Sequence, residues 1–282
     1  MKRYVILLLI SVFFSFEIKS VSGQGLSIHP TKVEIKGGQK ASEIWVLNTS
    51  NETKTFSASF NDYRMTQSGG VQKLPEGEEA ENSAAQYVRI HPDVITLGPG
   101  ESQTVKLQAR LPRDLDDLEL RSRMRFEEME SNYDRDLGAD PEELQEEGTV
   151  AIGVQSKVSL SVPVFVRAGE LNVSASIEGV DVVKGGEEEN NPYINVKIHR
   201  DGNRTSRGDF VVKHVSPGGD ETQIAKSNFP IYYPLEEMSR RVNVSSLDPE
   251  ELNEGHLEVS YEYEEDGRSA VTQKTEKIVD LD

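Results

Sequence analysis

The sequence contains no cysteine, one tryptophan and few aromatics of any kind, 7% of 282 residues. Without cysteine there is no disulfide scaffold, no thiol nucleophile and no cysteine-ligated zinc or iron–sulfur site. Positive charge is also scarce: 31 Lys and Arg stand against 49 Asp and Glu, a formal net charge of −18. Nucleic-acid binding is disfavoured, because a phosphate backbone needs a surface rich in Lys and Arg. Long apolar runs are missing after the N-terminus, and Lys157 interrupts the most apolar stretch. No G-x-S-x-G, P-loop or glycine-rich dinucleotide turn occurs, so nucleophile-elbow and nucleotide chemistry lack support. His29, His91, His199, His214 and His256 are scattered, with no pair at metal-ligand spacing.

The N-terminus does carry an apolar run, Tyr4 to Phe16, behind Lys2 and Arg3 and ahead of the small residues Val21-Ser22-Gly23. That order is a secretory signal peptide over 1–23, and the run is shorter than the roughly 20 residues of a membrane span. The expected mature chain is exported to the periplasm, soluble, and without a transmembrane segment.

Beyond the leader the apolar period is two. Ile44 and Val46, Phe56, Ala58 and Phe60, Val105, Leu107 and Ala109, Ile194, Val196 and Ile198, and Leu257, Val259, Tyr261 and Tyr263 all alternate with polar residues. Turn-forming pairs such as Gly98-Pro99-Gly100, Asp201-Gly202 and Asp266-Gly267 separate them. Short alternating strands with such punctuation predict an all-β chain built from antiparallel sandwiches. A fresh alternation starts after Arg167-Ala168-Gly169-Glu170, which divides the mature chain into 24–168 and 169–282, each of a size for one immunoglobulin-like sandwich. The segment 127–147 is dense in acid and poor in apolar side chains, and is expected to be a flexible loop. Asp134, Asp136, Asp140 and Glu143 in it mimic a calcium loop only loosely, since the twelve-residue spacing is not kept. No metal or other cofactor is assigned. Nor is a catalytic residue: among so many acids a carboxylate pair says almost nothing about acid–base catalysis. The N-x-S/T sequons at Asn48, Asn51, Asn172, Asn203 and Asn243 matter only in a eukaryotic secretory route.

One run is too long for an ordinary strand. From Val150 to Val166 the even positions are apolar except Ser156, and seventeen extended residues reach about 55 Å. Its second half, Val158 to Val166, closes a core. Its first half, Val150, Ile152 and Val154, follows the acidic loop and predicts an edge with an uncovered apolar row. Two readings stand: one long buried strand, or two joined at a bulge near Ser156; alternatively, a strand offered to a partner, whose main-chain bonds give affinity and whose alternate side chains fill a groove.

Thr31-Lys32-Val33-Glu34, Pro99-Gly100-Glu101 followed by Thr104-Val105-Lys106-Leu107, and Ser159-Leu160-Ser161-Val162-Pro163-Val164-Phe165-Val166 resemble the periplasmic pilus and fimbrial assembly chaperones, closest to the archaic, spore-coat-protein-U-like branch. The resemblance covers roughly residues 26–168 and extends to the C-terminal half in architecture only. It implies a boomerang of two immunoglobulin-like domains, no enzymatic activity, and a client cleft between the domains. It further implies that Val150, Ile152 and Val154 complete an exported pilin-like or surface subunit, with an outer-membrane usher as a further partner. Two basic residues would hold the client's C-terminal carboxylate. Lys32 matches one. For the other, strict register from the apolar triplet gives Ser159, whereas Lys157 lies one pleat away on the same strand face. The competing expectation is a structural or adhesive surface protein of two sandwiches. A third, a carbohydrate-active or calcium-dependent enzyme, rests on acidic residues alone.

Overall fold

The computed structural model describes residues 21–23, 25–36, 39–112, 117–129, 157–184, 192–244, 253–264 and 272–281. No α-helix occurs among them. The first group of strands is β1 (Val21–Gly23), β2 (Leu26–His29), β3 (Val33–Lys36), β4 (Ala41–Asn48), β5 (Lys54–Asn61) and β6 (Tyr63–Met65). It continues with β7 (Val71–Lys73), β8 (Val88–His91), β9 (Val94–Leu97), β10 (Ser102–Ala109), β11 (Leu118–Glu128) and β12 (Ser159–Ala168). The second group is β13 (Val173–Val183), β14 (Tyr193–Gly202), β15 (Ser206–Val215), β16 (Glu221–Ile231), β17 (Glu237–Asn243), β18 (His256–Glu264) and β19 (Thr272–Asp280).

Two sheets of five strands, in the orders β1-β2-β4-β10-β8 and β3-β12-β11-β5-β9, face each other to form the first sandwich. The alternation read from the sequence fills the space between them. Ile44, Val46, Val105 and Leu107 of the first sheet meet Phe56, Met124, Phe126, Val162, Val164 and Val166 of the second, all nearly or fully buried. The second sandwich pairs a sheet β13-β14-β17 with a sheet β16-β15-β18-β19. Its core holds the aromatic file Phe210, Phe229, Tyr261 and Tyr263, with neighbouring ring centroids 5.4–5.7 Å apart. Burial pushes the Tyr261 phenol up to about 12. The chain is therefore all-β, in two immunoglobulin-like sandwiches.

Three observations refine the sequence reading. Val21–Gly23, assigned there to the end of the leader, pair with Leu26–Ile28 at the edge of the first sheet. The acidic segment does not begin at 127. Glu127 and Glu128 end β11, opposite Ser57 and Phe56, because both charges find partners: Arg125 Nη2 donates to Glu127 at 3.0 Å, and Lys54 Nζ to Glu128 at 2.6 Å. A partnered carboxylate no longer opposes strand order. The rest of that segment lies outside the described residues. So do Val150, Ile152 and Val154; β12 is described as ten residues from Ser159, not as the expected seventeen.

Candidate functional site: the face between the sandwiches

In β12 the even residues Val162, Val164 and Val166 enter the first core, while Phe165 points the other way and joins the second. One strand thus belongs to both sandwiches. Phe165 stacks on Tyr232 at 6.4 Å, and Arg121 lies over the Tyr232 ring, 3.9 Å from its centroid. Tyr232 is buried between the domains. The hairpin β6–β7 adds a second clamp. Met65 is buried in the second core, where its sulfur accepts from Tyr232 N, and Ser239 N donates to Gln67 O at 2.7 Å.

At the centre lies Glu119, fully buried in β11. Its Oε2 accepts from Arg167 Nε and Nη2, each at 2.8 Å. Its Oε1 accepts from the Thr205 hydroxyl and from Thr205 N at 3.2 Å. A buried carboxylate with this many donors is satisfied, and it binds the first sandwich to the turn before β15. Asn203, one of the sequons, is committed to the same junction: its Nδ2 donates to Asp117 O and Glu170 O. Gly169 sits there with φ +65°, and a Cβ would collide with the Asp117 carboxylate, so the domain crossing requires glycine.

Lys32, just before β3, and Glu34 and Lys36 on it line this same side, since Val33 and Ile35 take the core. Glu34 receives Lys32 and Lys36, each at 2.7 Å, and Arg167 at 3.2 Å. Burial would raise its carboxyl, but the two lysine bonds and the Arg167 charge outweigh this and hold it at about 2. Together with Phe165, Thr205 and Arg207 these residues line a groove of about 220 Å³. A second groove of about 320 Å³, lined by Tyr63, Met65, Asn82, Arg121, Tyr232 and Leu235 among others, lies on the other side of the Phe165–Tyr232 contact.

Lys32, expected as a client anchor, is about half exposed and faces the first groove. Lys157 is exposed just ahead of β12. The position given by strict register, Ser159, is not bare of positive charge: Arg125, reaching from β11, donates through Nε to the Ser159 hydroxyl at 2.7 Å. β12 is paired with β11 over its whole length but with β3 only from Val164 to Arg167. From Ser159 to Pro163 its other edge has no strand beside it among the described residues, and Lys32 stands at the end of β3 where that gap begins. Neither the Glu119 junction nor the arginines of β11 were read from the sequence. The signal that could have found them is a period-two series, Glu119, Arg121, Arg123, Arg125 and Glu127, alternating with Leu118, Leu120, Ser122, Met124 and Phe126.

No protein-family model and no curated protein sequence matches the chain. Solved structures do. A chain from a chaperone–tip adhesin complex of CFA/I fimbriae biogenesis is 15% identical, with 90% of this chain and 97% of that one covered and a TM-score of 0.51. The class 5 fimbriae chaperone CfaA gives 15%, 90%, 98% and 0.50. The archaic Csu pilus complex CsuC–CsuE of Acinetobacter baumannii gives 11%, 88%, 96% and 0.44, too low a score to favour that branch. The fold is that of the fimbrial chaperones, two immunoglobulin-like sandwiches spanning nearly the whole of both chains.

Proposed function

We propose that this protein is a periplasmic chaperone that caps exported pilus, fimbrial or surface subunits by donating a strand. The observation that carries the reading is the half-open edge of β12, unpaired from Ser159 to Pro163 among the described residues and preceded in the chain by Val150, Ile152 and Val154. An edge of that kind pairs with any strand in reach, and native chains normally blunt it. The likeness in fold to CfaA, and to a chain from a chaperone–tip adhesin complex, supports the same assignment.

In this mechanism the subunit lacks one strand of its own sandwich and exposes an apolar groove. Val150, Ile152 and Val154 fill alternate positions of the groove while main-chain bonds extend the subunit's sheet. Each such side chain, when fully buried, contributes about 1.5–3 kcal/mol, less the costs of association. Lys32 and Lys157 hold the subunit's terminal carboxylate and so set the register of the strand. Such a charge-assisted bond is shorter and stronger than a neutral one. The capped subunit is released when the next subunit's own extension replaces the donated strand, at an outer-membrane usher if one serves this system. The exchange needs neither ATP nor a cofactor, and no catalytic step is assigned. The apolar leader behind Lys2 and Arg3 directs export and is removed.

The test is purification of the tagged protein from the periplasmic fraction, with mass spectrometry of what co-elutes. Wild type is expected to carry a small β-rich exported subunit that Ile152→Asp and Lys32→Glu both lose while remaining folded. Undiminished capture by Ile152→Asp overturns the donated strand. Empty, monomeric protein from all three, in cells expressing their surface genes, supports a structural two-sandwich protein instead.

A further inference from the structure

On the outer face of the second sheet, the acid excess of the whole chain is reversed. Arg121, Arg123 and Arg125 of β11 stand in one row, with Arg167 on β12, Lys36 on β3 and Lys32 just before it, against Glu34, Glu119 and Glu127 among the described residues. The row is graded. Arg121 is buried beneath Tyr232 and donates to Tyr63 O at 2.9 Å. Arg125 is open to solvent at one end of the row, held by Ser159 and Glu127. Arg123 lies between them. Its guanidinium stacks on the Tyr63 ring at 4.9 Å, and among the described residues it has no carboxylate partner. Its Nε is buried without a hydrogen bond, and so is Oδ1 of Asn61, the residue directly opposite it on β5. Burial depresses the basicity of Arg121, and the charge of Arg123 beside it acts in the same direction, so the two cations repel across the row.

We propose that this row receives an acidic segment of the client, Asp or Glu side chains of an extended stretch lying along β11, with Arg123 as the principal anion acceptor. The proposal rests on the chaperone reading and names the chemistry of its partner. Two features argue for carboxylate side chains. Alternate residues of a strand repeat every 6.6–7 Å or so, and arginines at that interval match acids at the same interval in a second extended chain. A guanidinium also takes a carboxylate in two parallel bonds, which fixes orientation as well as supplying attraction. The acids on the rest of the surface repel such a segment everywhere else, so the row also selects the face on which it docks.

The probes are three synthetic twelve-residue peptides titrated into the purified chain: one alternating Glu and Thr with both ends capped, its Gln counterpart with both ends capped, and that neutral peptide with a free C-terminal carboxylate. The capped Glu peptide is expected to bind, more weakly at 200 mM than at 20 mM salt. Arg123→Gln should weaken it about tenfold, as loss of a charge-assisted pair does, with Arg123→Lys in between. Arg125→Gln, at the open end of the row, supplies the same test should Arg123→Gln fail to fold. Equal binding of the Glu and Gln peptides overturns the proposal, as does unchanged Glu-peptide binding in the Arg123→Gln, Arg125→Gln double variant. Binding of the free-carboxylate peptide alone makes the face a chain-terminus site and overturns it too. The peptides have no groove to be filled, so Ile152→Asp leaves their binding intact. Wild type that binds the Glu peptide but captures no subunit counts against the strand donor only; wild type that captures a subunit but does not bind the Glu peptide counts against the row only.

Discussion

The two ends of β11 carry the same kinds of side chain and use them in opposite ways. At one end Glu119 is enclosed, takes every donor it can hold from Arg167 and Thr205, and ties the sandwiches together. Towards the other, Arg123 at mid-strand has an aromatic ring beneath it and no acid beside it among the described residues, and Arg125 is held by Ser159 and Glu127. What differs is completeness. A buried ionic group with all its partners in the same chain is structure, whereas one without them is prepared for a group that arrives from outside. Substitutions should therefore separate by position along a single strand: stability falls at the Glu119 end, and binding falls at the Arg125 end.

The largest effect is expected at Glu119. Glu119→Ala leaves Arg167 and the Thr205 donors unpaired between the domains, at a cost of about 3–5 kcal/mol. Thermal unfolding should show it as a loss of roughly 10 °C in Tm. A shift no larger than that of Arg125→Gln would erase the distinction between the two ends. Next comes Met65→Ala, which removes the first sandwich's side chain from the second core and should cost about 2–3 kcal/mol. Besides lowering Tm, it should let the two sandwiches unfold separately, so that tryptophan fluorescence from Trp45 in the first no longer coincides with tyrosine signals dominated by the second. Coincident transitions in that variant would mean that the Glu119 junction alone couples the domains. Gly169→Ala belongs below these, at about 1–3 kcal/mol, for the positive φ and the collision with Asp117.

Much of this architecture could be read without coordinates, because period-two alternation is a direct imprint of a sheet with one face buried. Val162, Val164 and Val166 are in the core that their spacing assigns them. The same rule is silent about the opposite face. Phe165 occupies an outward position, and only the approach of the second sandwich makes it core. Glu119 is likewise one more acid among 49 until Arg167 and Thr205 are placed around it. Glu127 and Glu128 read as loop by composition alone, which counts charges without their partners. The anchor position shows the limit most clearly. Along the chain the choice lay between Ser159 and Lys157, yet the cation standing over Ser159 comes from the neighbouring strand. Which charge occupies a place in space is decided by strand pairing, and no spacing within one strand contains it.

The smallest expected effect concerns Glu34, which belongs to neither end of β11 and shows how close the two behaviours lie. Its carboxyl sits at about 2, below its ordinary 4.5, because Lys32, Lys36 and Arg167 favour the charged form. A depressed carboxylate stabilises the fold above its unfolded-state value, and that contribution is lost as pH falls through 4.5 towards 2. It should amount to about 2 kcal/mol at neutral pH, less than the full linkage value because Lys32 and Lys36 are partly in water. Urea unfolding of wild type and Glu34→Gln from pH 7 to pH 2.5 should show a difference that is constant above about pH 5 and closes below it. A gap that stays open in acid would mean that Glu34 acts through shape rather than charge. The same variant frees Lys32 from its intramolecular partner. If Lys32 serves the client, subunit capture by Glu34→Gln should hold or strengthen while the fold weakens. That opposite movement of stability and binding is what a structural ion pair shared with a binding site predicts.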